Sequence, residues 1–229
     1  MGEEEEDRGG PTEYASPPCF MHELTEDYRV PAAADAQAAA DIYRWRKAER
    51  QRQIEARLAV SAADRAVMTE GIVAGIDKLI GDVGGRLASY YWPFRGEPDL
   101  RPWGQTIVDR GGRTALPLVV AKGQPLVFRE WKQGDKLERG VWNIPEPAEG
   151  EPVFPDIVIA PLVGYDPSNY RLGYGGGFFD RTLASLPRKP LVIGIGYASC
   201  ALSTIYPQVH DIPMDAIVTE AGVVSDRRR

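Results

Sequence analysis

The segment from Asp156 to Leu186 constrains this chain most. Ile157-Val158-Ile159-Ala160 is a short apolar run between Pro155 and Pro161, which predicts a strand buried on both faces. It leads into Arg171-Leu172-Gly173-Tyr174-Gly175-Gly176-Gly177-Phe178-Phe179-Asp180-Arg181, with four glycines, two arginines and one aspartate in eleven residues. A short helix is predicted over 178–186. Strand, glycine loop and helix N-terminus in that order let backbone N–H groups approach an anion without Cβ clashes. Arg171 and Arg181 bracket the loop with guanidinium groups suited to phosphate, and Asp180 offers a hard oxygen ligand for Mg²⁺. The pattern is not a Walker A loop, because no Gly-Lys-Ser/Thr follows, nor a Gly-x-Gly-x-x-Gly turn. A tight turn whose glycines serve geometry alone is the plainer alternative; the density of cations and glycines favours phosphate binding.

Around this segment, helical and strand patterns alternate. Residues 35–60 are rich in Ala, Arg, Glu and Gln without internal Gly or Pro, so a helix is expected with Asp35 as its N-cap. Arg46, Arg50 and Arg57 share one face of it, either a solvated basic stripe or a binding surface. Ser61-Ala-Ala-Asp64 resembles a capping box opening a second helix to about Ile80. Strands are expected over 87–92, 115–120, 126–131, 157–160 and 191–196, with 216–219 as the last, and a further helix from Pro98 to about Arg110. The pair 115–131, joined by Gly123-Gln124-Pro125, makes the sheet mixed. The expected architecture is therefore a three-layer α/β/α domain with a mixed, mostly parallel central sheet.

Charge divides the chain. Residues 1–40 hold ten acids and two bases, a charge of −8, whereas the remaining 189 residues hold 23 acids and 25 bases, or +2. Two units follow: an acidic arm over 1–34, expected to be poorly ordered, and a single catalytic domain over 35–229. A body near neutrality lacks the basic excess of a duplex-binding domain, and no apolar run reaches the roughly 18 residues of a membrane span. No nucleic acid, no membrane and a monomer are expected. Two cysteines, Cys19 and Cys200, suggest no disulfide framework, and with no secretory leader the expected compartment is the cytoplasm. Cys19 and His22 are too few for a zinc site.

Two other clusters carry chemistry. Tyr90-Tyr91-Trp92-Pro93-Phe94-Arg95-Gly96-Glu97 offers aromatics to stack on a flat heterocycle and a carboxylate to bind its polar edge; core aromatics plus a surface Glu would look the same. Asp211, in Pro207-Gln-Val-His210-Asp211, is a candidate second metal carboxylate. His210 has no partner that would make it a general base, and no Ser-His-Asp set can be argued.

Arg171 to Arg181, the preceding Ile159-Ala-Pro-Leu-Val163 and the later His210-Asp-Ile-Pro-Met-Asp-Ala-Ile-Val-Thr-Glu220 together resemble the 5-formyltetrahydrofolate cyclo-ligase (methenyltetrahydrofolate synthetase) family, from about Tyr43 to Glu220. The resemblance implies a fold similar to that of phosphosugar isomerases and CoA transferases. It implies a ligase that uses ATP and Mg²⁺ to close 5-formyltetrahydrofolate to 5,10-methenyltetrahydrofolate in one-carbon metabolism, releasing ADP and phosphate. A non-catalytic folate or nucleotide carrier on the same fold is the alternative. In the family a lysine, and an arginine four residues later, hold ATP phosphates. Arg46 and Arg50 stand at those places, Arg46 replacing the lysine. The implied nucleotide loop is Arg171, Leu172, Gly173, Tyr174, Gly175, Gly176, Gly177, Phe178 and Phe179. Trp92, Glu97 and the Tyr174–Phe178 stretch are the implied folate contacts, and Asp180 and Asp211 the implied metal ligands. Arg50, Arg171 and Arg181 are expected to meet the transferring phosphoryl group. Asn143-Ile-Pro-Glu-Pro147 resembles a family loop that starts with Gly, so Asn143 departs from it.

Overall fold

The computed structural model describes residues 32–228, so the acidic segment, with Cys19 and His22, lies outside the described residues. Asp41–Arg229 group into one compact unit. Two helices come first, α1 (Ala32–Ala59) and α2 (Ala62–Ile80). Helix α1 begins before Asp35, so Asp35 is not its N-cap. The break between the helices is the expected one: the Ser61 hydroxyl accepts the Asp64 N–H at 3.0 Å, and Gly81 closes α2 with a positive φ of 61°.

The rest of the chain alternates strands with short helices. In order these are β1 (Leu87–Ser89), α3 (Arg101–Asp109), β2 (Arg113–Leu118), β3 (Val127–Glu130), β4 (Leu137–Arg139), β5 (Pro145–Pro147) and β6 (Pro152–Val153). Then come β7 (Ile157–Pro161), β8 (Gly164–Tyr165), β9 (Arg171–Leu172), α4 (Phe178–Ser185), β10 (Leu191–Ile195), β11 (Ala216–Thr219) and β12 (Gly222–Asp226). The main sheet has the order β12-β11-β10-β7-β1-β2-β3-β6. Its centre, from β11 to β2, is parallel, and β12, β3 and β6 add antiparallel edges. The mixed, mostly parallel sheet expected from sequence is therefore present. Ala216–Thr219 is not the last strand, because Gly222–Asp226 turns back on it as the edge, and the strand expected over 87–92 ends at Ser89.

Alternation along β7 builds the two faces. Ile157 and Ile159 pack with Ile72, Ile76 and Ile80 of α2 and Trp103 and Ile107 of α3. Val158 and Ala160 face the other way, into a cluster that Phe179 and Leu183 of α4 cover. Helices thus cover both faces, the three-layer arrangement that buries a hydrophobic central strand completely. Asp77 ties α2 to α3 by accepting from the Trp103 indole N–H at 3.1 Å and the Arg110 guanidinium at 2.8 Å. Among the described residues no helix is long and apolar enough to cross a membrane.

Gly104 of α3 sits hard against Tyr90, itself only 2% exposed; a Cβ there would lie 2.6 Å from the ring's Cζ and hydroxyl. In an open helix Gly→Ala would stabilise by about 1 kcal/mol. Here overpacking against a buried ring opposes that gain, at a cost of about 1–3 kcal/mol or more. Gly104→Ala is expected to lower the denaturant midpoint with an unchanged m-value, and a raised midpoint would show that α3 shifts freely.

Candidate active site

A cavity of about 430 Å³ opens where the parallel strands end. Its walls come from the segment after β1 (Tyr91 to Glu97), the end of β2, Pro161 at the end of β7, the loop from Arg171 to Asp180, and His210 and Asp211. Ligand sites in open α/β sheets fall at the carboxyl ends of strands for the same geometric reason. The size suits a small organic molecule.

Helix α1 supplies the basic side. Arg46 and Arg57 are only 9% and 7% exposed, which overturns the solvated-stripe alternative for these two. Arg46 donates through Nε to the Ile205 carbonyl and through Nη2 to the Tyr206 carbonyl, both at 2.9 Å, and it pairs with Asp211 at 2.5 Å. Asp211 also accepts the Gln208 N–H. Burial would raise the Asp211 carboxyl, but these donors outweigh it and hold the group below its ordinary value. Arg50 is different. Its Nε donates to the Gly173 carbonyl at 2.6 Å, and among the described residues no carboxylate pairs with it. Burial, and then the like charge of Arg46, pull its pKa down. An anion arriving at this guanidinium would relieve that repulsion.

The glycine loop lies directly beneath. Gly175 has φ +93°, a conformation that L side chains rarely adopt, so the backbone favours glycine, and a Cβ on it would press on the Arg50 Cζ at 3.3 Å. Gly177 caps α4 in the left-handed conformation. Arg171 is buried and donates to Asp180 at 2.8 Å, while its Nε and that of Arg181 are buried without a partner among the described residues. The cavity lining includes Arg171, Leu172, Gly173, Tyr174, Gly175, Gly176, Gly177, Phe178, Phe179 and Asp180 but not Arg181. Arg181 instead donates to the Gly176 carbonyl and stacks on the Phe178 ring, so it braces the loop from behind.

Asp180 and Asp211 both reach the cavity, and the Ile212 N–H donates to Asp180 at 3.2 Å, which links their two segments. Each carboxylate is also paired with an arginine, and no group of three or more His, Cys, Asp or Glu able to hold a metal occurs among the described residues. Two carboxylates fit Mg²⁺, which takes its remaining ligands from phosphate oxygens and water, better than a metal needing a full protein cage.

Trp92 and Glu97 also line the cavity. Trp92 packs edge-on against Trp131 at 5.9 Å, with the Arg101 guanidinium 4.9 Å over its ring. Glu97 is 7% exposed, not the surface residue it could have been. It accepts the Phe94 N–H and the Tyr174 hydroxyl, each at 2.8 Å. Burial pushes its carboxyl up to about 7, against the opposing pull of Arg57 and those two donors. His210 is largely exposed and stands 4.0 Å from Asp211, too far to orient it as a base.

Sequence reasoning missed part of the wall. The hairpin of β4 and β5 brings Val141 and Trp142 to the cavity, with Trp142 60% exposed and edge-on to Phe178 at 5.9 Å. Trp142 and Asn143 both have positive φ, 55° and 60°. Asn tolerates that conformation better than most residues, which accounts for a non-glycine at the departed position. The Asn143–Pro147 resemblance was the available signal for this hairpin.

Known proteins share this arrangement. A family model described as the 5-formyltetrahydrofolate cyclo-ligase family matches residues 42–220. The 5-formyltetrahydrofolate cyclo-ligase of Escherichia coli K12 is 34% identical over 139 residues, covering 57% of this chain and 75% of that protein. The protein of the same name from Mycolicibacterium smegmatis is 31% identical over 157 residues, covering 63% and 79%. The solved structure of Aquifex aeolicus 5,10-methenyltetrahydrofolate synthetase superposes with a TM-score of 0.67 at 27% identity, covering 78% of this chain and 91% of that one. With the family pattern running through most of its length, across both walls of the cavity, the chain belongs to the 5-formyltetrahydrofolate cyclo-ligase family, enzymes of the ligase class.

Proposed function

We propose that this chain closes 5-formyltetrahydrofolate to 5,10-methenyltetrahydrofolate at the expense of ATP, releasing ADP and phosphate. The observation that carries the nucleotide part is Arg50, a cation without a carboxylate partner among the described residues, lying over a glycine loop whose Gly175 has a positive φ that strains any side chain. The formyl oxygen on N5 is a poor leaving group. Transfer of the γ-phosphoryl group to it makes a phosphate ester of an iminium carbon; N10 attacks that carbon and loses its proton, and phosphate departs with the oxygen. The chain supplies position and charge for this sequence and little covalent chemistry.

Arg50 and the loop amides from Gly173 to Gly177 hold the phosphates, and Arg171, which lines the cavity and whose buried Nε has no partner among the described residues, adds positive charge beside them. Arg46 keeps Asp211 ionised and in place. Mg²⁺ held by Asp180 and Asp211 would neutralise phosphate charge. Trp92 and the ring of Tyr174 pack against the pterin, and Glu97 accepts hydrogen bonds from the N–H groups on its edge. Arg181 acts on the loop and not on the phosphoryl group.

Incubated with 5-formyltetrahydrofolate and Mg-ATP, the protein is expected to develop methenyltetrahydrofolate absorbance together with ADP. Arg50→Ala and Asp180→Ala are each expected to lose about 100-fold or more in turnover, the scale of removing a charged contact to a transferring group. Binding of both ligands without ADP release would establish a carrier instead. Because Glu97 must accept hydrogen bonds, its ionised form is the active one, and kcat/KM is expected to fall as pH drops through about 7. In Glu97→Gln that acid limb disappears while the KM for folate rises; an unchanged limb assigns it to another group. The match to the family begins at residue 42, so deleting residues 1–34 is expected to leave turnover within about twofold, read in the same absorbance assay.

A further inference from the structure

Arg57 is a buried cation that the proposed chemistry leaves unused. It stands on α1 two helical turns beyond Arg50, and it does not line the cavity. Among the described residues no carboxylate lies within ion-pair distance of it. Its donors go elsewhere: Nε to the Arg95 carbonyl at 2.9 Å, Nη1 to the Leu162 carbonyl at 3.5 Å, and Nη2 to the Tyr174 hydroxyl at 2.6 Å. One side chain therefore binds the segment carrying Glu97, the end of β7 and the glycine loop.

Hydrogen-bond polarity then decides what happens next. A guanidinium can only donate, so the Tyr174 oxygen accepts from Arg57 and its single proton must point away. The nearest acceptor for it is Glu97, at 2.8 Å, with the Phe94 carbonyl farther off at 3.4 Å. The second Glu97 oxygen receives the Phe94 N–H. Both carboxylate oxygens are thus met by donors, which favours the ionised form against the burial that opposes it. From this we infer that Arg57 is a positioning residue: acting through the Tyr174 hydroxyl, it fixes where Glu97 stands and keeps Glu97 an acceptor for the pterin edge. The inference rests on the proposed role of Glu97 as the pterin acceptor.

The groups around Glu97 come from five elements. They are Arg57 from α1, Arg65 from α2 beside Gly96, Tyr91 after β1, Tyr174 from the glycine loop and Tyr197 after β10, whose hydroxyl donates to the Gly96 carbonyl at 3.2 Å. Of the influences that lower the Glu97 carboxyl, the charge of Arg57 is the largest, and the Phe94 N–H and the Tyr174 hydroxyl follow. Removing the Arg57 charge should therefore move the Glu97 titration upward.

The test is the Glu97 carboxyl titration by carbon-detected NMR in glutamate-labelled protein, assigned with Glu97→Gln, alongside the pH profile of kcat/KM. Arg57→Met is expected to raise the Glu97 midpoint by about one pH unit, which is a tenfold change in its proton affinity. The acid limb of kcat/KM should move with it, giving a loss of about fivefold at pH 7 that approaches tenfold at lower pH and recovers at higher pH. The KM for folate should rise and that for ATP stay level, and Arg57→Lys should restore part of the shift. If Arg57→Met does not fold, Tyr174→Phe removes the same bridge, and an upward shift of Glu97 is expected there too. A Glu97 titration that stays in place, or a loss independent of pH, overturns the inference. Wild-type protein without turnover would instead overturn the proposed reaction, since the NMR titration needs no substrate.

Discussion

A guanidinium ion taken out of water costs several kcal/mol unless its donors are matched. Much of the cavity end of this fold answers that one requirement. Helix α1 sends Arg46 and Arg57 into the body of the protein, and the acceptors that receive them are mostly loop carbonyls: Ile205, Tyr206, Arg95 and Leu162. Loops at the carboxyl ends of parallel strands have carbonyls to spare, because the sheet ladder has ended. The helix and the loops therefore hold each other: Arg46 and Arg50 line the cavity, and Arg57 braces the same loops from outside it.

The three arginines divide the electrostatic work. Arg46 has a carboxylate of its own, Asp211, and that pair is close to neutral. Arg50 has none among the described residues and keeps its charge for the cavity. Arg57 has none there either, but its Nη2 donates to the Tyr174 hydroxyl, which donates to Glu97. The same contrast runs through the loop arginines, since Arg171 is paired with Asp180 while, among the described residues, Arg181 binds loop backbone and an aromatic face. Anion capacity is thus confined to one side of the cavity, where Arg50 lies over the glycines.

What sequence could disclose follows from how local each signal is. The strand Ile157–Pro161, the capping box at Ser61 and the glycine loop depend on residues a few positions apart, and they stand where the pattern put them. The helical spacing of Arg46, Arg50 and Arg57 showed a shared face but not burial, because burial depends on carbonyls more than a hundred residues away in the case of Arg46. The pairing of Asp211 with Arg46 was invisible for the same reason; that of Asp180 with Arg171, only nine positions apart, depends on how the glycine loop between them turns. Strands β4 and β5 escaped notice because three-residue strands, one of them bounded by Pro145 and Pro147, show no alternation to detect. Strand β12 escaped because it is a half-exposed edge with little apolar pattern.

The seven-residue interval between Arg50 and Arg57 has a further consequence. Seven residues of α-helix advance about 10 Å and return to nearly the same face. The two side chains therefore leave one face of α1 about that far apart along its axis, Arg50 reaching the Gly173 carbonyl and Arg57 the Tyr174 hydroxyl, which in turn donates to Glu97. In the proposed reaction a phosphoryl group and a formyl oxygen must meet, and each belongs to a molecule anchored elsewhere, by its phosphates or by its pterin. A single rigid helix that anchors both ends removes one source of relative motion between the substrates. Adjacent glycine-loop residues, Gly173 and Tyr174, complete the link, since their backbone belongs to the phosphate side and the Tyr174 side chain to the pterin side. A displacement of α1 would move both anchors together, so in the proposed reaction the helix couples the nucleotide end of the site to the pterin end.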